Sequence, residues 1–167
     1  MKKFSTKQIL LSALMISIIG SLLHFVYDWL GQWPPIGLIA AVNESVWEHT
    51  KLAYVPMTVF WVVIALRRPR ERAALLAGGA AGTVTTLLLI PMLHYFCIHG
   101  LGIESLALDI VLFFVNVLIG QLVGAHVTCY TKSPFAGLLG AVVFVLLIIM
   151  YSIFTFAPPE LPIFAVA

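Results

Sequence analysis

Residues Pro134–Phe156 read PFAGLLGAVVFVLLIIMYSIFTF, 23 residues with no charged side chain among them. As a helix rising 1.5 Å per residue, this run is about 35 Å long, and the hydrocarbon core of a bilayer is about 30 Å thick. The run is bounded by Lys132 and Ser133 before it and by Ala157-Pro158-Pro159 after it. A helix is the expected form, because lipid offers no hydrogen-bond partner to an open backbone. Outward from this segment, four more runs of comparable length appear, at about 7–30, 46–66, 73–96 and 103–130. The alternating short segments of a β-barrel do not appear. The fold class expected is therefore all-α: a polytopic membrane protein with five transmembrane helices in a single membrane domain over residues 1–167.

Composition agrees. Apolar residues make up 62% of the 167, and charged residues 10%, against roughly 25% in a soluble domain. So few charges cannot cover a water-soluble core, which excludes soluble enzymes, nucleic-acid binders and disordered regulators. The net charge of +2 is no argument for a nucleic-acid partner; the partner expected is the lipid bilayer. The first run resembles a signal peptide, but no Ala-x-Ala cleavage pattern follows, so a retained first helix is expected. Cys97 and Cys129 fall at opposite ends of their helices, and no intrachain disulfide is expected.

Basic residues set the expected orientation. Lys2, Lys3 and Lys7 precede the first span, Arg67, Arg68, Arg70 and Arg72 separate the second and third, and Lys132 separates the fourth and fifth. With five spans these three places share one side, which the positive-inside rule makes cytoplasmic. The N-terminus is expected inside and the C-terminus outside, in a bacterial inner membrane. Lys51 alone breaks the pattern.

The polar residues within spans then carry the functional signal, because each is costly in lipid. His24 and Asp28 share one face of the first helix. Asn43, Glu44, Glu48 and His49 crowd the start of the second, His94 and His99 the end of the third, and Glu104 and Asp109 the start of the fourth. All lie toward the expected outer side, where six of seven acidic residues and four of five histidines gather. An outer-leaflet pocket follows. Its expected metal ligands are His24, Asp28, Glu44 and His49, residue types that suit a divalent ion such as zinc. Glu48 is the expected general base, and Asn43, Lys51, His94, Asp109 and Gln121 form a second ring.

A structural account stands beside this one. Ser45-Val46-Trp47-Glu48 fits a capping box, Glu48 and Lys51 fit an ion pair at spacing three, and a His/carboxylate network can neutralise itself without metal. No His-Glu-x-x-His motif occurs. Elsewhere, Gly78-x-x-x-Gly82 and Gly120-x-x-x-Gly124 predict close helix packing. Pro56 and Pro91 should release the carbonyls of Leu52 and Leu87. Tyr27, Trp29, Trp33 and Trp47 belong to an aromatic belt. Gly31–Pro35 breaks the chain, so 36–42 should lie along the interface or re-enter shallowly. The prolines at 158, 159 and 162 favour an extended tail able to fold over the pocket.

The string Val42-Asn43-Glu44-Ser45-Val46-Trp47-Glu48-His49-Thr50-Lys51-Leu52 resembles the signature of a family of small bacterial integral membrane proteins of unknown function. His24–Trp29, Gly120-Gln121 and the Phe154–Pro162 tail are similar to that family's pattern over nearly the whole chain. Relatives continue past the tail with an Asp-Pro and Gly-rich stretch, which is not found before Ala167. The resemblance implies no activity.

Three functions are compatible with the residues. One is a metal-dependent intramembrane hydrolase acting on a lipid-type substrate. Another is a carrier or binding protein for a cation or small polar molecule. The last is a structural or partner-stabilising subunit. Only Asn116, Gln121 and His126 mark the inner half, which disfavours transport, and the lack of a known catalytic motif disfavours an enzyme.

Overall fold

The computed structural model describes residues 4–166. The apolar runs form five helices: α1 (Thr6–Trp29), α2 (Val46–Arg67), α3 (Arg72–Tyr95), α4 (Leu106–Tyr130) and α5 (Pro134–Phe156). No strand occurs among the described residues. Each helix is long and apolar enough to cross a membrane, so the architecture is that of a multi-pass membrane protein. Lys2 and Lys3, which contribute to the expected orientation, lie outside the described residues.

Local chemistry sets the helix starts. Ser5 caps α1 in a two-way exchange with Gln8, each side chain bonding the other's backbone N–H, at 2.9 and 3.2 Å. Ser45 and Ser105 accept from the N–H groups of Glu48 and Leu108 and cap α2 and α4. The Ser105 cap starts α4 three residues later than hydropathy alone suggests. Pro134 takes the first position of α5, where its missing N–H costs nothing. At its far end α3 passes into a π-turn over Phe96–Gly100, which begins five residues after Pro91.

Helix α3 is the centre of the bundle, packed against α2, α4 and α5, while α1 lies against α2 and α4. The tightest seam is α3–α4. A Cβ at Gly82 would overlap the Gly120 carbonyl, and one at Gly78 would overlap Gly124 and Thr128. Both small-residue pairs therefore pack this bundle internally, and the close approach lets the Thr86 hydroxyl donate to the Asn116 carbonyl at 3.2 Å. Trp61, 1% exposed, closes the space beside Gly79 and Gly124. The Leu52 carbonyl, freed by Pro56, sits where Gly20 has no side chain. Outward, α5 presents Leu138, Val142, Val145, Ile149 and Ile153, a surface suited to lipid. Cys97 and Cys129 are free thiols.

Two irregular segments shape the end of the bundle that carries the polar cluster. After α1 the chain makes a 3-10 turn at Pro34–Leu38, and Gly37, Ala40 and Ala41 are buried. The tail does not run out extended. It turns at Pro162–Phe164 and lays the Phe164 ring 4.9 Å from Trp47 and 5.4 Å from Phe154. Aromatic burial there outweighs the intrinsic stiffness of the prolines. The tail thus covers the junction of α2 and α5.

Candidate metal centre

Two polar groups form within the stretch from Glu44 to Lys51, and they differ in kind. The first is buried. Glu48 is 2% exposed and Lys51 is fully buried, with Lys51 Nζ donating to Glu48 Oε2 at 2.6 Å. The ammonium also donates to the Gly37 carbonyl and to Thr155 Oγ1, both at 2.7 Å, with the Ala40 carbonyl at 3.3 Å. Glu48 Oε2 accepts from the Val42 N–H at 2.9 Å. An ammonium has only three protons, and here each has a partner. The pair joins the 37–42 segment, α2 and α5 into one unit, with every charge compensated at close range, as burial requires.

The capping box expected at Ser45–Glu48 is half present. Ser45 Oγ accepts from the Glu48 N–H, but the Glu48 carboxylate turns to Lys51, and the Ser45 N–H goes to Asn43 Oδ1 at 2.9 Å. A full ammonium is a stronger partner for a carboxylate than a backbone N–H. Asn43 thereby closes the turn that leads into α2.

The second group is open. Glu44 is 63% exposed, and its two oxygens lie 3.7 Å from His24 Nε2 and 3.4 Å from His49 Nε2. The imidazoles stack with centroids 5.3 Å apart. One ligand atom from each of the three residues falls within 4.8 Å of the others, so the group could hold a metal ion. Tetrahedral ligands at 2.0–2.1 Å from zinc stand about 3.3 Å apart, so the group would have to draw in slightly around an ion.

The tautomer of His49 follows from its surroundings. Its Nδ1 lies 2.9 Å from the Ser45 carbonyl, which can only accept, so Nδ1 carries the proton. Its Nε2, 3.4 Å from a Glu44 carboxylate oxygen, is then the ring atom free to accept or to bind a cation. A carbonyl on the remote ring nitrogen is also how metal-binding histidines are ordinarily oriented. His24 Nδ1 is buried without a partner among the described residues.

The other candidate residues fall elsewhere. Asp28 Oδ1 accepts from Gln32 Nε2 at 3.0 Å and is not among the three grouped ligands. His94 and Asp109 pair with each other at 3.4 Å across α3 and α4. Gln121 is buried, about 18 Å further along α4 than Asp109.

Sequence reasoning singled out Lys51 as an exception but missed Thr50, Tyr151 and Thr155. Tyr151 and Thr50 share a hydrogen bond at 2.5 Å, and the Tyr151 ring lies between Trp47 and Tyr54. The signal was available: Tyr151 and Thr155 are four apart in a helix whose one other polar side chain is Ser152, and so share the face turned to α2.

No match was found among curated proteins or among solved structures. A family model does match, over residues 1–167, and the chain belongs to a family of unknown function, DUF6512.

Proposed function

We propose that this protein sits in a bacterial cytoplasmic membrane with its N-terminus inside, and binds a divalent metal ion such as zinc at its outer face through His24, Glu44 and His49. The observation that carries this reading is the convergence of one ligand atom from each of His24, Glu44 and His49 to within 4.8 Å of one another, with the opposite ring nitrogen of His49 held by the Ser45 carbonyl. The orientation rests on the basic residues at 67–72 and 132.

Three protein ligands leave a fourth position open, the count that catalytic rather than structural zinc sites share. We therefore favour a hydrolase acting on a lipid-type substrate. A bound divalent ion would supply Lewis acidity and water ionised near neutral pH. Glu48 enters this reading as an anchor instead of a base, because its carboxylate is already committed to Lys51 and Val42. By fixing Val42 it sets the position of Glu44 two residues on. The carrier reading has less support: Ala13, Ile16, Ala53, Met57 and Val117 form a close-packed apolar cluster further along the same helices.

Elemental analysis of protein purified without chelators tests the metal. The expected result is one equivalent per chain, lost in His49→Ala and in Glu44→Gln, with the double variant little worse than either. Metal-free protein of unchanged stability in both variants would leave a self-neutralised histidine–carboxylate network, and the hydrolase assignment would fall with the metal. Chelator-reversible release of soluble headgroup from phospholipid vesicles tests the reaction separately.

A further inference from the structure

At the end of α2 opposite Glu44 and His49, helices α1 and α2 diverge and leave a crevice of about 230 Å³. Its α1 wall carries Gln8, Leu11 and Met15, and its α2 wall carries Phe60 and Ile64, with Arg68 just past the end of α2 at its rim. The α1 residues recur at spacings of three and four and the α2 pair at four, so each wall is one helix face. The α1 wall runs about 10 Å along the helix from Gln8 to Met15. One end of the crevice is thus polar and cationic, and the rest is apolar except for Ser12, whose hydroxyl already donates to the Ile9 carbonyl.

Among the described residues, Arg68 is only lightly engaged. Its Nη1 lies 3.8 Å from Glu71 Oε2, beyond hydrogen-bond distance, and its guanidinium carbon is 5.8 Å from the centroid of the Phe4 ring. Arg67, Arg70 and Arg72 flank it in exposed positions, so four arginines face a single glutamate over this short turn. The crevice lies between two helices that cross the membrane, and what adjoins it there is lipid. An occupant that suits both ends must pair an alkyl chain with an anion at the level of the interface.

We propose that this crevice is a binding site for one anionic phospholipid of the surrounding bilayer, its phosphate on Arg68 and part of one acyl chain along Leu11, Met15, Phe60 and Ile64. A guanidinium matches a phosphate with two parallel hydrogen bonds, which the long contact to Glu71 does not provide. The exposed arginines raise the local concentration of anionic lipid, but Arg68 is the one that lines the crevice. The site is independent of the metal-binding reading, since it stands at the other end of the bundle and uses none of the same residues.

Native mass spectrometry of the full chain in detergent tests the site, with phosphatidylglycerol titrated against phosphatidylcholine of identical chains. Phosphatidylglycerol should bind at least about fivefold more tightly, the equivalent of one interfacial arginine–lipid contact. Arg68→Gln should remove that preference, while Arg70→Gln changes it less than about twofold. Met15→Trp, which fills the apolar part, should weaken both lipids. Equal affinity for the two lipids would overturn the proposal, as would equal losses in Arg68→Gln and Arg70→Gln, which indicate diffuse attraction. Displacement by glycerol phosphate as effective as by phosphatidylglycerol would reduce it to a chain-independent anion site and overturn the lipid assignment. The wild-type lipid comparison and the glycerol phosphate arm need no substitution, so a variant that fails to fold leaves the test intact.

Discussion

Glu44 and Glu48 are one helical turn apart in sequence, and the molecule treats them in opposite ways. Glu48 is buried, paired with a lysine and bonded to a backbone N–H. Glu44 is exposed, with one carboxylate oxygen 3.7 Å from His24 Nε2 and the other 3.4 Å from His49 Nε2. Closed networks of the first kind specify structure; open sets of acceptors of the second kind are where a ligand adds the missing charge. The difference is one of closeness: every proton of Lys51 has a partner within hydrogen-bond distance, whereas Glu44 approaches His24 and His49 only to 3.7 and 3.4 Å.

The largest effects should come from breaking the closed network on one side only. Lys51→Met or Glu48→Gln leaves a buried partner uncompensated and should cost about 3–5 kcal/mol, read as a loss of unfolding free energy in detergent. Replacing both with apolar residues of similar size should restore much of it. If Glu48→Gln is silent, Glu48 is a dispensable cap and the contrast with Glu44 disappears.

Next in size is Glu44→Gln. On the proposed metal site, it should abolish stoichiometric zinc binding while changing the stability of the metal-free protein by less than about 1 kcal/mol, because exposed pairs contribute little. Titration calorimetry and thermal melts on the same sample separate the two. A large stability loss without metal would place Glu44 in the structural class with Glu48.

A smaller effect is expected at Thr155. Thr155→Val removes one hydrogen bond to Lys51 and should cost about 1–2 kcal/mol, charged partners being the stronger ones. It should be non-additive with Lys51→Met in a double-mutant cycle. Full additivity would separate α5 from the network.

The smallest change should be Asp28→Asn. The carboxylate bonds only the exposed Gln32 side chain among the described residues, so stability should move by less than about 0.5 kcal/mol and zinc affinity by less than about twofold. A tenfold loss of zinc affinity would bring Asp28 into the ligand set and widen the open group.

Much of this contrast is legible in the amino-acid sequence. Lys51 stands out as the basic residue on the acidic side, and its spacing from Glu48 permits a pair. The crowding of histidines and acids toward one side locates the open group. Which carboxylate is closed and which open is not legible, since both are glutamates near the same helix start. That outcome depends on partners distant in sequence: Gly37 and Ala40 from one segment, Thr155 from another helix.

Length and apolarity suffice for the five spans, because hydrocarbon forbids unpaired backbone and about 20 apolar residues have one stable form there. Side-chain identity suffices for the caps at Ser5, Ser45 and Ser105, which act over three residues. The tail's turn onto Trp47, the burial of Lys51 and the meeting of His24 with Glu44 and His49 were decided only by tertiary packing. A hydropathy pattern records which residues avoid water, whereas pairing between distant side chains depends on which helix faces meet and at what depth. In this bundle the small residues of α3 and α4 set that approach, and the 37–45 segment brings Glu44 to the two imidazoles.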